Sequence, residues 1–237
     1  MIPLRDDPGA PRRTFPWVML TILGINIVVF LFELGQGSEA ALNNLFLADG
    51  VVPTEFTRGI QAGPPPPFGI LYLTLITSMF LHGGLLHIGS NMLYLFIFGD
   101  NVEDRLGHFG FFVFYFLCGI AAGITHIVAN AGSDTPSIGA SGAIAGVLAA
   151  YLRLFPHAQV RTLIFIGPLI LVPRIAAGFL IIFWFITQFV SGITSLGAPT
   201  DTSGGVAVWA HIGGFIAGLI LVQIMQPRTV KNGRLLN

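Results

Sequence analysis

The chain has 237 residues, of which 54% are hydrophobic and only 9% charged, too little charge to cover a soluble globule of this size; it reads as a polytopic membrane protein. Formal net charge is zero and no basic cluster stands out along the chain, which removes the electrostatic footprint of a nucleic-acid binder. The single cysteine, Cys118, can form no intrachain disulfide and is expected to be a small lipid- or core-facing residue in its apolar run.

Residues 1–16 carry arginines, aspartates and prolines and read as a cytoplasmic tail; no cleavable signal peptide is expected, because the apolar run that follows is long enough to span. Six runs approach or reach the roughly 20 apolar residues that a bilayer span requires: 17–34, 84–102, 109–129, 141–155, 175–193 and 206–225. The outer loop 35–83 holds the proline run 64–67 and the apolar stretch 70–81, which is too short to span and is expected to lie in the interface or dip partway in. The segment 162–173, broken by Pro168 and Pro173, is given the same reading on the opposite side. Residues 226–237 form a second cytoplasmic tail, and no internal repeat of the transporter kind is present. The expectation is one all-α membrane domain over 1–237, with six transmembrane helices.

Orientation follows from positive charge, because cytoplasmic loops accumulate Lys and Arg. With the N-terminus inside, Arg5, Arg12, Arg13, Arg105, Arg153, Arg161, Arg174, Arg228, Lys231 and Arg234 all fall inside, ten of the eleven, and only Arg58 falls outside. Both termini are therefore expected in the cytoplasm.

The fourth run begins inside Ser137-Ile-Gly-Ala-Ser-Gly-Ala-Ile-Ala-Gly146, where a polar loop turns into an apolar helix and the Ser141 hydroxyl stands among Gly139, Ala140 and Gly142. Small neighbours let another backbone approach, and a helix starting here aims free N–H groups at whatever Ser141 would attack. Small-xxx-small spacing, as in Gly142 and Gly146, also means simple tight packing of membrane helices. Depth separates the two readings. The fourth run is about 21 Å long in a hydrocarbon core of about 30 Å, so Ser141 stops roughly 9 Å below the outer edge. His211 on the sixth run, and His87 with Asn91 one turn apart on the second, fall in the same outer layer. One intramembrane histidine is readily a packing residue bonded to a carbonyl, but Ser, His, His and Asn at one depth are hard to explain as packing.

A serine nucleophile needs a base. The only lysine, Lys231, is in the tail, and no Asp or Glu occurs in the outer half of the runs that carry Ser141, His211, His87 and Asn91, so nothing acidic on them is available to orient the histidine. That leaves a Ser141/His211 dyad, with His87, the Asn91 amide and the Ser141 N–H as the available oxyanion donors. Gly142 and Gly146, facing Gly214 and Gly218, would let the two backbones approach until serine and histidine meet. No His-Glu-x-x-His zinc motif is present and Asp100 and Asp104 lack a partner aspartate on another run; no metal or cofactor is expected. His108, His126 and His157 lie at run ends or turn away from this layer and are read as non-catalytic.

Gly139-Ala-Ser-Gly142, Ala210-His-x-x-Gly-x-x-x-Gly218, His82-x4-His87-x3-Asn91 and Glu103-x-Arg-x-Gly107 together resemble the rhomboid intramembrane serine proteases, in order over about 70–220. The resemblance implies a six-helix fold with Ser141 as nucleophile, His211 as general base and then acid, and His87, Asn91 and the Ser141 N–H as oxyanion hole. It further implies that Glu103 and Arg105 stabilise the turn between the second and third helices, that His82 and the motif glycines support the site, and that Trp184 helps close a lateral opening between the second and fifth. The Trp-Arg pair of many family members is not evident in the first loop, where Phe56-Thr-Arg58 is the nearest candidate, which bears on how that loop is anchored. The implied partners are transmembrane protein substrates and lipid, and the implied setting is the plasma (inner) membrane of a prokaryote. The rival readings are a catalytically silent relative acting as a binding or quality-control module, and a transporter, for which no ionisable relay crosses the membrane.

Overall fold

The computed structural model describes residues 1–9, 13–61, 70–195, 208–225, 230–231 and 234–235. Arg12, the proline run 64–67, the loop 196–205, the start of the sixth run and Arg228 lie outside the described residues, as do the side chains of Arg58, Lys231 and Arg234. In chain order, strand β1 (Ile2–Asp7) leads to α1 (Trp17–Leu34); α2 (Glu39–Asp49), α3 (Pro53–Gln61) and α4 (Ile70–Thr77) occupy the long loop; then come α5 (Leu85–Leu106), α6 (His108–Ala129) and α7 (Ser141–Leu154). Strands β2 (Gln159–Ile166), β3 (Leu169–Leu171) and β4 (Arg174–Ala176) precede α8 (Ala177–Ser195) and α9 (Val208–Met225).

All six predicted runs are helical where described, within a few residues of their expected ends. α1, α6 and α9, of 18, 22 and 18 residues, are long and apolar enough to cross a bilayer, which makes this an integral membrane protein. α4 and the 3-10 turn Ser78–Phe80 meet α5 at 84°, the geometry of a broken span or re-entrant segment, as the short apolar stretch 70–81 suggested. α7 has 14 residues and is buried along almost its whole length.

The centre of the bundle is α6, α7 and α9, and small residues bring them together. A Cβ on Gly214 would run into the Gly142 carbonyl, and one on Gly218 into the Gly146 carbonyl, so α7 and α9 touch backbone to backbone. The third helix closes in the same way: a Cβ on Gly146 would strike the Cys118 thiol, and one on Gly213 would strike Thr125. Cys118 is thus core-facing. Between helices in lipid such contact surfaces supply the attraction that the hydrophobic effect does not.

The helix ends at the pole opposite Ser141 are tied by carboxylates. Pro16 gives α1 no side-chain cap, and Glu103 supplies it from α5, accepting from the N–H groups of Val18 (3.0 Å) and Met19 (2.7 Å). The same carboxylate accepts from His108 Nδ1 at 2.5 Å across the turn at Gly107, whose φ of 74° suits glycine. Glu103 therefore holds three helices, more than the one turn expected of it, whereas Arg105 lies over the Phe155 ring at 5.0 Å and ties α5 to the end of α7.

The all-α expectation needs correction. β1, β2, β3 and β4 form a four-stranded antiparallel sheet at the same pole, with β2 paired to all three others. Residues 1–9 are thus not merely a tail, and 162–173, expected to lie in the interface or dip partway in, is a β-hairpin. The pattern in 159–162 has the period of a strand: Val160 and Thr162 are fully buried while Gln159 and Arg161 are exposed. Pro168, read as a helix break, follows Gly167 (φ 58°) in the hairpin turn. β1 is pinned by Asp6, whose Oδ2 accepts from the Tyr151 hydroxyl (2.6 Å) and from Asn101 Nδ2 (2.9 Å). Burial raises the Asp6 pKa above its ordinary value, and the Tyr151 bond opposes the rise.

Gly214→Ala should lower unfolding stability in detergent by about 1–3 kcal/mol or more, since the added methyl meets backbone that cannot swing away. Gly24→Ala in α1, where a Cβ meets nothing within 4 Å, should be neutral or slightly stabilising. Equal thermal shifts for the two variants would contradict the close contact.

Candidate active site

Ser141 is the first residue of α7, and His211 lies in the first turn of α9, three residues before Gly214. The backbone contact between these helices brings the two side chains together, with Ser141 Oγ 2.7 Å from His211 Nε2. His211 is 6% exposed. Its other nitrogen, Nδ1, is 2.8 Å from Gln188 Oε1 on α8. An amide oxygen only accepts, so Nδ1 carries the proton and Nε2 is left as the acceptor for the serine hydroxyl. One turn earlier on the same face of α8, the Trp184 ring packs on the imidazole at 5.5 Å between centroids, tilted by 42°.

Gln188 is the residue that sequence reasoning missed. The usual third group is an Asp or Glu, and none lies in the outer half of the runs that carry Ser141, His211, His87 and Asn91. A neutral amide can set the tautomer and orientation of the ring without the desolvation penalty of a buried carboxylate. The signal was present in the sequence as a lone glutamine in an apolar run, one helical turn after Trp184.

α5 contributes His87 and Asn91 on one face. Gly83 N–H donates to His87 Nδ1 (3.3 Å), which leaves the proton on Nε2, and that nitrogen lies so near Gly139 that a Cβ there would come within 2.7 Å of it. Gly139 itself has a φ of 121°, so glycine is required on both counts. Asn91 is 6% exposed, and its Nδ2 is buried with no hydrogen-bond partner among the described residues. A buried donor without an acceptor is uncommon and calls for an explanation. The Ser141 N–H, at the first position of α7, has no acceptor within its helix.

The loop that delivers Ser141 is held from below by the long first loop. Gly139 N–H donates to the Ser78 carbonyl (2.8 Å), Val51 and Ser137 exchange both backbone bonds (3.0 and 2.8 Å), and Thr54 Oγ1 donates to Asp134 Oδ1 (2.5 Å). His82, 1% exposed at the corner between α4 and α5, donates its N–H to Glu33 Oε1 (2.9 Å), is 3.1 Å from the Phe80 carbonyl through Nδ1, and packs edge-on against His87 at 5.0 Å. In the place of the missing Trp-Arg pair, Phe56 packs edge-on against Tyr72 at 6.0 Å. His108 is engaged with Glu103 and His126 lies beside Asn130 at the end of α6; neither touches the Ser141/His211 pair.

A family profile for the rhomboid domain matches residues 71–228, which contain Ser141, His211, Gln188, His87, Asn91 and Gly139. The chain belongs to the rhomboid family. It is 38% identical over 156 residues to rhomboid protein 1, mitochondrial, of Saccharomyces cerevisiae, covering 64% of this chain and 40% of that protein. It is 28% identical over 246 residues to RHOMBOID-like protein 5 of Arabidopsis thaliana, covering 93% of this chain and 72% of that protein. Against the human presenilin-associated rhomboid-like protein, mitochondrial, identity is 29% over 176 residues, covering 70% and 41%. The chain thus spans about two fifths of the length of the yeast and human relatives. These rhomboid relatives are mitochondrial or plant proteins, so the expected prokaryotic plasma membrane has no counterpart among them.

The tautomer follows from Gln188 and can be read directly. In the wild type, nitrogen NMR of labelled histidine should show His211 protonated at Nδ1 only, and Gln188→Leu should yield a mixture of tautomers. An unchanged spectrum in the variant would remove Gln188 from the site.

Proposed function

We propose that this rhomboid-family chain is an intramembrane serine endopeptidase that cuts transmembrane segments of other membrane proteins near the outer face. The observation that carries this reading is the 2.7 Å approach of Ser141 Oγ to a His211 ring whose far nitrogen is already engaged. In a cofactor-free reaction, Ser141 Oγ attacks the scissile carbonyl and its proton passes to Nε2. The imidazolium so formed keeps its Nδ1–H bond to Gln188 Oε1. Asn91 Nδ2, the Ser141 N–H and His87 Nε2–H donate to the oxyanion, which gives the orphaned amide its acceptor only when charge develops. His211 returns the proton to the leaving amine, and water repeats the cycle on the acyl-enzyme ester.

The same reading gives a six-span topology with both termini on the cytoplasmic side. β1 pairs with a strand that lies between the end of α7 and the start of α8, so the Arg5–Asp7 end of β1 and that arginine-bearing loop share one side, opposite Ser141, while Met1 and Pro3 reach toward Trp184. Substrate would enter sideways between α5 and α8, which make little contact with each other. A cavity of about 150 Å³ separates them, lined by Tyr94, Phe98, Leu180, Ile181 and Trp184 among others. A scissile helix must unwind before its carbonyl reaches Ser141, so helix-weakening residues at the outer end of the substrate favour cleavage.

Ser141→Ala and His211→Ala should each abolish cleavage of a model transmembrane substrate in liposomes while unfolding at the wild-type temperature, because the pair acts as a unit. Asn91→Ala should bind substrate normally and turn over roughly ten to a thousand times more slowly. Substantial turnover by Ser141→Ala would sink the proposal, and a wild type as inactive as that variant would favour the silent binding module.

A further inference from the structure

At the pole opposite Ser141, the sheet sets three arginines side by side. Arg5 is opposite Arg161 in the β1–β2 register, and Arg161 is opposite Arg174 in the β2–β4 register. Residues directly opposed in antiparallel strands point to the same face, so the three guanidinium groups form a row across the outer face of the sheet. Like charges in that arrangement repel unless an anion lies among them. Among the described residues none of the three forms an ion pair. The carboxylates nearby have other donors: Asp6 binds Tyr151 and Asn101, Asp7 accepts from the Gly9 N–H (3.3 Å), and Asp100 accepts from Asn101 N–H (2.7 Å) and Nδ2 (2.8 Å).

The row opens on a cavity of about 780 Å³ between the sheet and α5, which Asp6, Asp7 and Asp100 also line and whose α5 wall includes Phe96 and Ile97. Phe96 is 57% exposed on the outside of the bundle, so the cavity borders the apolar belt of the helices. Beyond the row, the same hairpin carries Phe165, Ile166, Leu169, Ile170, Leu171 and Val172, all between 42% and 64% exposed. Register puts Phe165 opposite Ile170. Both lie on the arginine face by the two-residue alternation along β2. Arg174 stands three residues before α8, whose Phe179, Ile182, Phe183 and Ile186 are also exposed. One surface therefore runs from cationic row to apolar hairpin to apolar helix, at the end of the spanning helices. Exposed apolar strands with no partner are an aggregation hazard in water, whereas at a membrane interface their side chains reach the acyl layer while water still reaches the backbone edges.

We propose that this sheet seats a membrane phospholipid: the Arg5, Arg161 and Arg174 row takes the headgroup phosphate, and the hairpin 164–172 lies in the interface with its apolar side chains directed toward the acyl chains of that leaflet. The charge of the row matches a phosphate, its place at the end of α5 falls in the headgroup layer on the six-span topology proposed above, and its continuity with the apolar belt selects a lipid over a free anion. Sequence inspection showed no basic cluster because the three residues are far apart in the chain and meet only through strand pairing.

Native mass spectrometry of the full chain in detergent, titrated with phosphatidylglycerol, tests this. Wild type should retain the lipid, and R161Q/R174Q should need roughly thirtyfold more of it for half-saturation, about fivefold for each arginine removed. Without lipid the double variant should unfold at the wild-type temperature or above, since repulsion is relieved; with lipid only the wild type should gain stability. R5Q should weaken retention on its own, and F165S/I170S should weaken it with the arginine row intact. Equal retention by wild type and R161Q/R174Q would overturn the proposal. So would displacement of the lipid by millimolar inorganic phosphate, or equal retention of a diacylglycerol that lacks the phosphate.

Discussion

The contact on which the site depends is the one between the Gly142 carbonyl and Gly214, where α7 and α9 meet with no side chain between them. In lipid the surrounding tails are as apolar as any leucine, so helices associate through close packing. Here the packing also sets distance. Ser141 precedes Gly142 by one residue and His211 precedes Gly214 by three, so the backbone contact places Oγ and Nε2 within hydrogen-bonding reach. Gly146 against Gly218, one turn further on, repeats the contact and fixes the angle between the helices. The glycines that look like a generic packing motif and the dyad that looks like chemistry are one feature.

Electrostatics divide the molecule into two poles. Around Ser141 the polar groups are neutral: an amide on His211, an amide left without an acceptor at Asn91, and a histidine facing Gly139. A carboxylate there would need stronger compensation in a medium of low dielectric. At the opposite pole, nearer water, carboxylates do structural work, with Glu103 capping α1, Asp104 accepting from the Arg13 and Thr14 N–H groups, and Asp6 holding β1. Glu33 and Asp134 are exceptions: Glu33, at the far end of α1, reaches the His82 N–H at the re-entrant corner, and Asp134 accepts from Thr54 Oγ1, so both support the loop that carries Ser141. The site thus rests on the long first loop as much as on the helices.

Much of this was legible in the chain. Apolar length fixed the position of each long helix, because a bilayer demands about 20 apolar residues whatever their neighbours do. Depth counting from run ends put Ser141, His211, His87 and Asn91 in one layer, because rise per residue is constant along a helix. The glycine spacings pointed to which two helices would touch. Family resemblance covered the same residues, and the rhomboid profile matches the stretch that holds them.

Tertiary structure decided the rest, wherever partners are distant in sequence and carry no local period. Gln188 reaches His211 only because α8 packs on α9, and no spacing between 188 and 211 announces it. Glu103 serves α1, 84 residues away, as well as the turn beside it. β1 and the hairpin 159–171 were hidden because strands this short carry too few alternating residues to declare themselves, and their hydrogen bonds come from partner strands elsewhere in the chain. Helices satisfy their own backbones and so announce themselves in sequence; strands and side-chain networks are completed by residues elsewhere, and only the folded chain brings those residues into contact.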